Sequence, residues 1–207
     1  MERILLKITL FIFCSVLISV PPEFDILINN NPYSSKIFIH TSSLQPEIDS
    51  THSFMTILDE SLDVYWQVNS KNNGRNFEQR NNNLAYFHFP RPIEDPTLIH
   101  WKVLDNNMQV IDSVYYDSRQ EDFLDYHDFL ITEENHYIYM GYTETILDLT
   151  SIGGAEQNLT AKIANIVEVD QNKNIIFRWN ALDHLNILDY SEIIFSNSGT
   201  FSWMHVN

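Results

Sequence analysis

Beyond its first twenty residues the chain alternates short aliphatic and aromatic runs with polar breaks, spaced roughly ten positions apart. Runs of this length, rich in Val, Ile, Phe, Tyr and Trp, predict β-strands rather than helices. They fall at residues 26–28, 36–40, 54–58, 64–68, 84–89, 98–104, 110–116, 136–141, 163–169 and 175–179. Between them stand asparagine clusters: Asn29-Asn30-Asn31, Asn72-Asn73, Asn81-Asn82-Asn83 and Asn106-Asn107. Asparagine tolerates positive φ and bonds its own backbone, so it takes over the turns of a chain with only 5 glycines.

The pattern also repeats. An apolar residue precedes Asp59, Asp105 and Asp170, and an aliphatic strand resumes at Val64, Val110 and Ile175. Each is a strand, an Asp turn and a second strand. A second kind of hairpin alternates with the first, around 80–87 and 133–140. Two hairpins per unit give four strands per unit, which predicts an all-β fold of β-propeller type with four-stranded blades. At ~40–45 residues per blade, positions 23–207 hold about three to four blades. Residues 201–207 read as the opening of another strand, so the expected ring is incomplete and the propeller domain truncated at its C-terminus. Two packed sheets, a β-sandwich, would show similar strand spacing.

The start of the chain follows different rules. Arg3 and Lys7 precede an apolar run over 8–20, and Pro21-Pro22 end it. The run is shorter than the ~20 residues of a comfortable membrane span and suits a signal peptide over residues 1–20. Cys14, the single cysteine, lies inside it behind the bulky Phe13, which disfavours lipid attachment. The expectation is export to the periplasm or beyond the cell, with no stable membrane association after signal removal.

Composition removes other classes. Twelve basic residues against 28 acidic ones leave a formal charge of −16, with no clustered basic face, so no nucleic-acid partner is expected. Neither GxxxxGK[ST] nor GxGxxG occurs, and one cysteine allows no internal disulfide. No cofactor and no metal are expected: no short-spaced His pair is present. Asp170-x-Asn172-x-Asn174 resembles the start of a calcium loop, but Ile175 and Ala181 stand where glycine and a bidentate glutamate are needed. Asn158-Leu159-Thr160 is a glycosylation sequon, meaningful only in a eukaryotic secretory route.

Three stretches carry a family resemblance. The first is Asp125-Tyr126-His127-Asp128-Phe129, leading into Glu134-Asn135. The second runs from Asp148 through Gly153-Gly154, Glu168-Val169-Asp170 and Phe177-Arg178-Trp179 to Asp183-His184. The third is Trp203-Met204-His205-Val206-Asn207. In this order they resemble the bacterial arylsulfotransferases that work without a nucleotide sulfate donor, best over 120–207 and only by hairpin pattern before that. The resemblance implies a six-bladed propeller, an exported enzyme roughly twice this length, and a chain that is the N-terminal part of one. It also implies sulfuryl transfer from a phenolic sulfate to an acceptor phenol through a sulfated histidine, with the small-molecule aryl sulfate and phenol as partners.

That chemistry needs a nucleophilic imidazole and preplaced donors for the sulfuryl oxygens. On the resemblance, His205 and Asn207 match an H-x-N element; two apart on a strand, they share a face and would hold sulfuryl oxygens. His127 would be a second oxygen donor, or the acid for the departing phenol. His184, in its Asp-His pair, would bind substrate or merely close a hairpin end. The implied nucleophile and its partner arginine stand past position 207, so this chain alone is expected to be inactive. His40, His52, His88, His100 and His136 are assigned to the surface or to satisfied core positions. Anionic substrates must approach a strongly negative chain, and Arg75, Arg80, Arg91, Arg119 and Arg178 are scattered in sequence. That favours somewhat an alternative, a non-catalytic secreted β-propeller that binds a protein or glycan. A cell-surface β-sandwich adhesion module is a third, weaker reading.

Overall fold

The computed structural model describes residues 25, 34–41, 53–70, 74–90, 96–115, 122–148, 150, 159–186 and 200–203. They are almost entirely β, as the periodicity requires. The first sheet joins β1 (Ile37–Thr41), β2 (Phe54–Leu58) and β3 (Val64–Asn69). The second joins β4 (Gly74–Arg80), β5 (Asn83–His88), β6 (His100–Leu104) and β7 (Val110–Tyr115). The third joins β8 (Asp122–Ile131), β9 (Tyr137–Leu147), β10 (Leu159–Val169) and β11 (Ile175–Asn180). Each sheet is an antiparallel meander in chain order. A one-turn helix α1 (Ala181–His184) follows, and β12 (Thr200–Ser202) runs parallel beside the start of β10. The expected strand at 26–28 and the expected signal segment lie outside the described residues.

The Asp turns fold as their spacing suggests, and their geometry explains the aspartate. Asp59, Asp105 and Asp170 each accept, through the backbone carbonyl, from the N–H three residues on, and donate their own N–H to the carbonyl four residues on. The Oδ1 of each also accepts two backbone N–H groups of the turn, at Ser61 and Asp63, at Asn107 and Gln109, and at Asn172 and Asn174. The third loop residue is left-handed each time: Leu62 (φ 67°), Met108 (φ 62°) and Lys173 (φ 67°). This is the three-residue hairpin loop that ends in a bulge, and the ladders shift register beside it. Backbone donors hold the carboxyls of Asp105 below the usual carboxylate range; for Asp170 the Asn174 side chain leads. The turn from Thr132 to His136 repeats the two backbone bonds, with the threonine hydroxyl accepting one N–H, that of His136, where the carboxylate accepts two. The hairpin at Arg80 instead closes through two residues, with Asn81 left-handed at φ 53°. The two hairpins matched in sequence therefore loop differently.

All three Asp turns join the last two strands of a sheet. On that register β1 corresponds to β5 and β9, the second strands of their sheets.

Consecutive sheets stack face to face. Met55, Ile57, Phe77, Leu84 and Leu104 fill the space between the first and second sheets. Ala85, Phe87, Trp101 and Val103 on the opposite face of the second sheet meet Phe129, Tyr137, Tyr139 and Val167 of the third. Trp101 stacks on Phe129 at 4.8 Å and meets Phe87 edge-on at 5.3 Å. Ala161, Ile163, Ala181 and Trp203 form a third cluster where α1 and the end of β12 cover β10. Middle strands are therefore buried on both faces: β2 is buried throughout, and alternation is lost where layers lie on both sides. Each fully buried side chain of this size contributes roughly 1.5–3 kcal/mol. The last strands β3, β7 and β11 stay open instead, exposing Val64 and Tyr65, Val110 and Ile111, and, one residue further along, Ile176 and Phe177. A clasp ties the third sheet to the second: Asp112 accepts from Tyr137 Oη and from Lys173 Nζ, both at 2.6 Å.

Two first strands meet. β4 lies against β8, and both are bulged where they do so. Neither strand shows in the hydrophobic pattern. Gly-Arg-Asn-Phe-Glu-Gln-Arg is largely polar, and the apolar positions of β8 are interrupted by Asp125, His127 and Asp128.

Candidate active site

The bulge in β8 is large. Leu124 pairs with Gly141 and Phe129 with Tyr139, so residues 125–128 stand opposite Met140 alone. The strand makes room at Gly141, where a Cβ would come within 2.7 Å of the Phe123 carbonyl oxygen. Such insertions re-aim side chains that regular pleating would alternate between faces.

Within the bulge, Asp125 and His127 form a tight pair. Asp125 Oδ1 accepts from the His127 backbone N–H at 2.8 Å and lies 2.6 Å from His127 Nδ1. Asp125 is buried, and its carbonyl accepts from the indole N–H of Trp101 at 3.2 Å, which anchors the bulge to the core. A carboxylate on Nδ1 fixes the proton there and leaves Nε2 as the reactive nitrogen. The ring itself is partly open, and Tyr126 stacks beside it at 4.1 Å.

The facing bulge of β4 sets Asn76 and Phe77 opposite Tyr86. Asn76, left-handed at φ 47°, donates from Nδ2 to the His127 carbonyl at 2.9 Å. Arg80 binds Asp128 at 2.7 Å, the Phe129 carbonyl and Glu78. Burial pushes the Glu78 carboxyl up, against the opposing pull of Arg80. Arg75 has a different role. Its guanidinium lies 5.2 Å from the Tyr126 ring and 5.1 Å from Phe89, with no carboxylate partner among the described residues. His40, on β1, is depressed by burial and then by the Arg75 charge, and its buried Nε2 has no hydrogen-bond partner among the described residues.

His127 thus stands in a built environment. His184 does not join it: it sits exposed on α1, stacked flat on Trp179 at 5.5 Å. β9 and β10 separate β8 from β11, which sets their strands about 14 Å apart. His205 and Asn207 lie outside the described residues. Of the histidines assigned to surface or core, His136 bonds Glu168 at 2.9 Å, and His88 and His100 pair across β5 and β6 at 4.7 Å. His52 lies outside the described residues. Sequence reasoning passed over Asn76, and Asp125 as an orienting group; it named Arg75 only as one of five scattered arginines and set His40 among the surface or core histidines. The one available signal was the aspartate two residues before His127. Among the described residues, no group of three or more His, Cys, Asp or Glu side chains is placed to hold a metal ion.

The family model for arylsulfotransferase (ASST) matches residues 94–204, a little over half of the chain. The matched region runs from β6 to β12 and includes the whole of the β8 bulge. No curated protein matches the chain.

Proposed function

Because this chain belongs to the arylsulfotransferase family, we propose that it takes part in sulfuryl transfer from a phenolic sulfate ester to an acceptor phenol through a sulfohistidine. The observation that carries this reading is the Asp125–His127 pair, lifted out of β8 and set against the arginine-bearing strand β4. In the first half-reaction a histidine nitrogen bonds to sulfur while the bond from sulfur to the phenolic oxygen breaks. His127 enters this step as an imidazolium, its Nδ1–H held by Asp125, and gives its Nε2 proton to the departing phenolate, leaving the neutral ring. In the second half the acceptor phenol attacks sulfur, its proton goes to His127 Nε2, and the nitrogen–sulfur bond breaks. His127 acts here as acid and base rather than as the sulfated residue.

His205 and Asn207 as donors to the sulfuryl oxygens rest on the sequence alone, and so does His184 as a substrate contact. Arg75 answers the charge problem locally: a guanidinium beside the bulge, with no carboxylate partner among the described residues, attracts an anionic ester although the whole chain is negative. The three successive meanders, with β4 against β8, support a radial arrangement of blades and so a partial propeller. The pattern over residues 1–20 supports export, to the periplasm or outside the cell.

The test is release of nitrophenol from nitrophenyl sulfate, with and without an acceptor phenol, by the complete gene product that carries this chain. Acceptor-dependent release that falls about 10²–10⁴-fold in His127→Ala supports the reading. Unchanged turnover in that variant removes His127 from the chemistry.

A further inference from the structure

A second site lies at the turn end of the first two sheets, away from the β8 bulge. A cavity of about 250 Å³ opens there between β1 and β3 on one side and the turns after β4 and β6 on the other. Its floor is apolar, made by Phe38, Ile57, Leu84 and Met108. Its rim is made of amides, from Gln79, Asn82, Asn83 and Asn106, with Lys36 and Tyr65 at one edge. Among the described residues no carboxylate lines it.

The rim is chemically unspent. Gln79 uses its Nε2 on the Asn81 carbonyl at 3.2 Å. The side chains of Asn82, Asn83 and Asn106 have no hydrogen-bond partner among the described residues, although Asn81 and Asn107 beside them bond Thr132 and Asp105. Each free amide offers two donors and an acceptor from one planar group. A ligand that uses several such groups at once must itself carry adjacent groups that both donate and accept, and neighbouring hydroxyls do so. The apolar floor suits the C–H face of a ring. Lys36 sits 3.4 Å above the Tyr65 ring and pairs with no carboxylate among the described residues. In a chain of charge −16 that ammonium is free to meet an anionic substituent. The volume falls just below the ~300–1,000 Å³ of pockets for drug-sized ligands, which suits a single ring.

We propose that this cavity binds a sugar ring bearing a carboxylate, a hexuronic acid unit. The hydroxyls bond Asn82, Asn83 and Asn106, the ring packs on Phe38 and Met108, and the carboxylate meets Lys36. The site is independent of sulfuryl transfer.

The probes are D-glucuronate and D-glucose, titrated into the ¹⁵N-labelled chain. Saturable shifts of the side-chain amide pairs of Asn82, Asn83 and Asn106 with glucuronate, at least fivefold tighter than with glucose, are the expected result. Asn106→Ala should weaken glucuronate binding at least fivefold, and Lys36→Gln should remove the preference over glucose. Both residues are exposed or at the cavity edge, and an unchanged unfolding midpoint shows that these variants keep the fold. Absence of saturable shifts with either sugar overturns the site. Equal affinity for the two sugars overturns the role of Lys36 and with it the uronate assignment.

Discussion

Replacing Leu62 by glycine should stabilise this protein, although it deletes a leucine. Leu62 is the third loop residue of the first Asp turn and is held at φ 67°. A side chain in that region costs roughly 1–2 kcal/mol, because Cβ crowds the following carbonyl. Glycine removes the crowding but loses about 0.5–1 kcal/mol more backbone entropy on folding. The net gain is about 0.5–1 kcal/mol, provided that the side chain contributes little else. Leu62 belongs to none of the three apolar clusters. The equivalent positions provide the controls. Met108, at φ 62°, packs partly buried against the cluster between the first two sheets, so Met108→Gly forfeits a large part of the roughly 1.5–3 kcal/mol of a fully buried side chain and should destabilise. Lys173, at φ 67°, bonds Asp112 in the clasp, so for Lys173→Gly the relief and the lost ion pair should nearly cancel. Urea unfolding of the four proteins ranks them, and a 1 kcal/mol change would move Tm by ~2–4 °C in a domain of this size. A lower midpoint for Leu62→Gly than for the parent would refute the account of these turns.

Three further outcomes follow from the same structure. Asp125→Asn keeps an acceptor for His127 but removes the charge, which weakens the bond by about 1 kcal/mol; acceptor-dependent turnover should fall ~5-fold while the urea midpoint moves little. Gly141→Ala drives a Cβ against the Phe123 backbone, which cannot swing aside, so it should cost about 1–3 kcal/mol in urea unfolding. His88 is lowered to about 4 by burial, then by Lys102 and His100. Between that value and the ordinary 6.5 the unfolded chain binds the extra proton, so stability should rise with pH across this window and be lost as pH falls through it. His88→Gln should flatten the slope of urea midpoint against pH between 4 and 6.5; an unaltered slope would reassign the dependence to His40 or His100, both also lowered chiefly by burial.

What could be read from the residue pattern divides along a physical line. Strands β2, β3, β6 and β7 end within a residue or two of their expected limits, because their apolar residues are consecutive and Asp turns bound them. The expected strand from residue 98 starts only at His100, since Pro96–Leu98 form a 3-10 turn first. β9 and β10 run on to Leu147 and back from Leu159, beyond their apolar cores, since each finds a partner along its whole length. β4 and β8 gave no period-2 signal. Their bulges break the alternation, and their polar residues face a neighbouring first strand rather than solvent or core.

The sequence by itself determined the all-β class, the hairpin repeat, the Asp turns and the family. These are local properties, set within a few residues by side-chain shape, turn hydrogen bonds and motif order. Only the tertiary structure decided that Asp125 orients His127, that Asn76 grips the His127 backbone from a strand 51 positions away, and that Arg75 lies over the Tyr126 ring beside them. It also decided that His184 stacks on Trp179 and stays apart from that group. Contacts of that kind depend on how two sheets stack and where each bulges. The energy that fixes the stacking comes from Trp101, Phe129 and their neighbours in the buried layer, whose apolar pattern is silent about which polar residues the packing brings together.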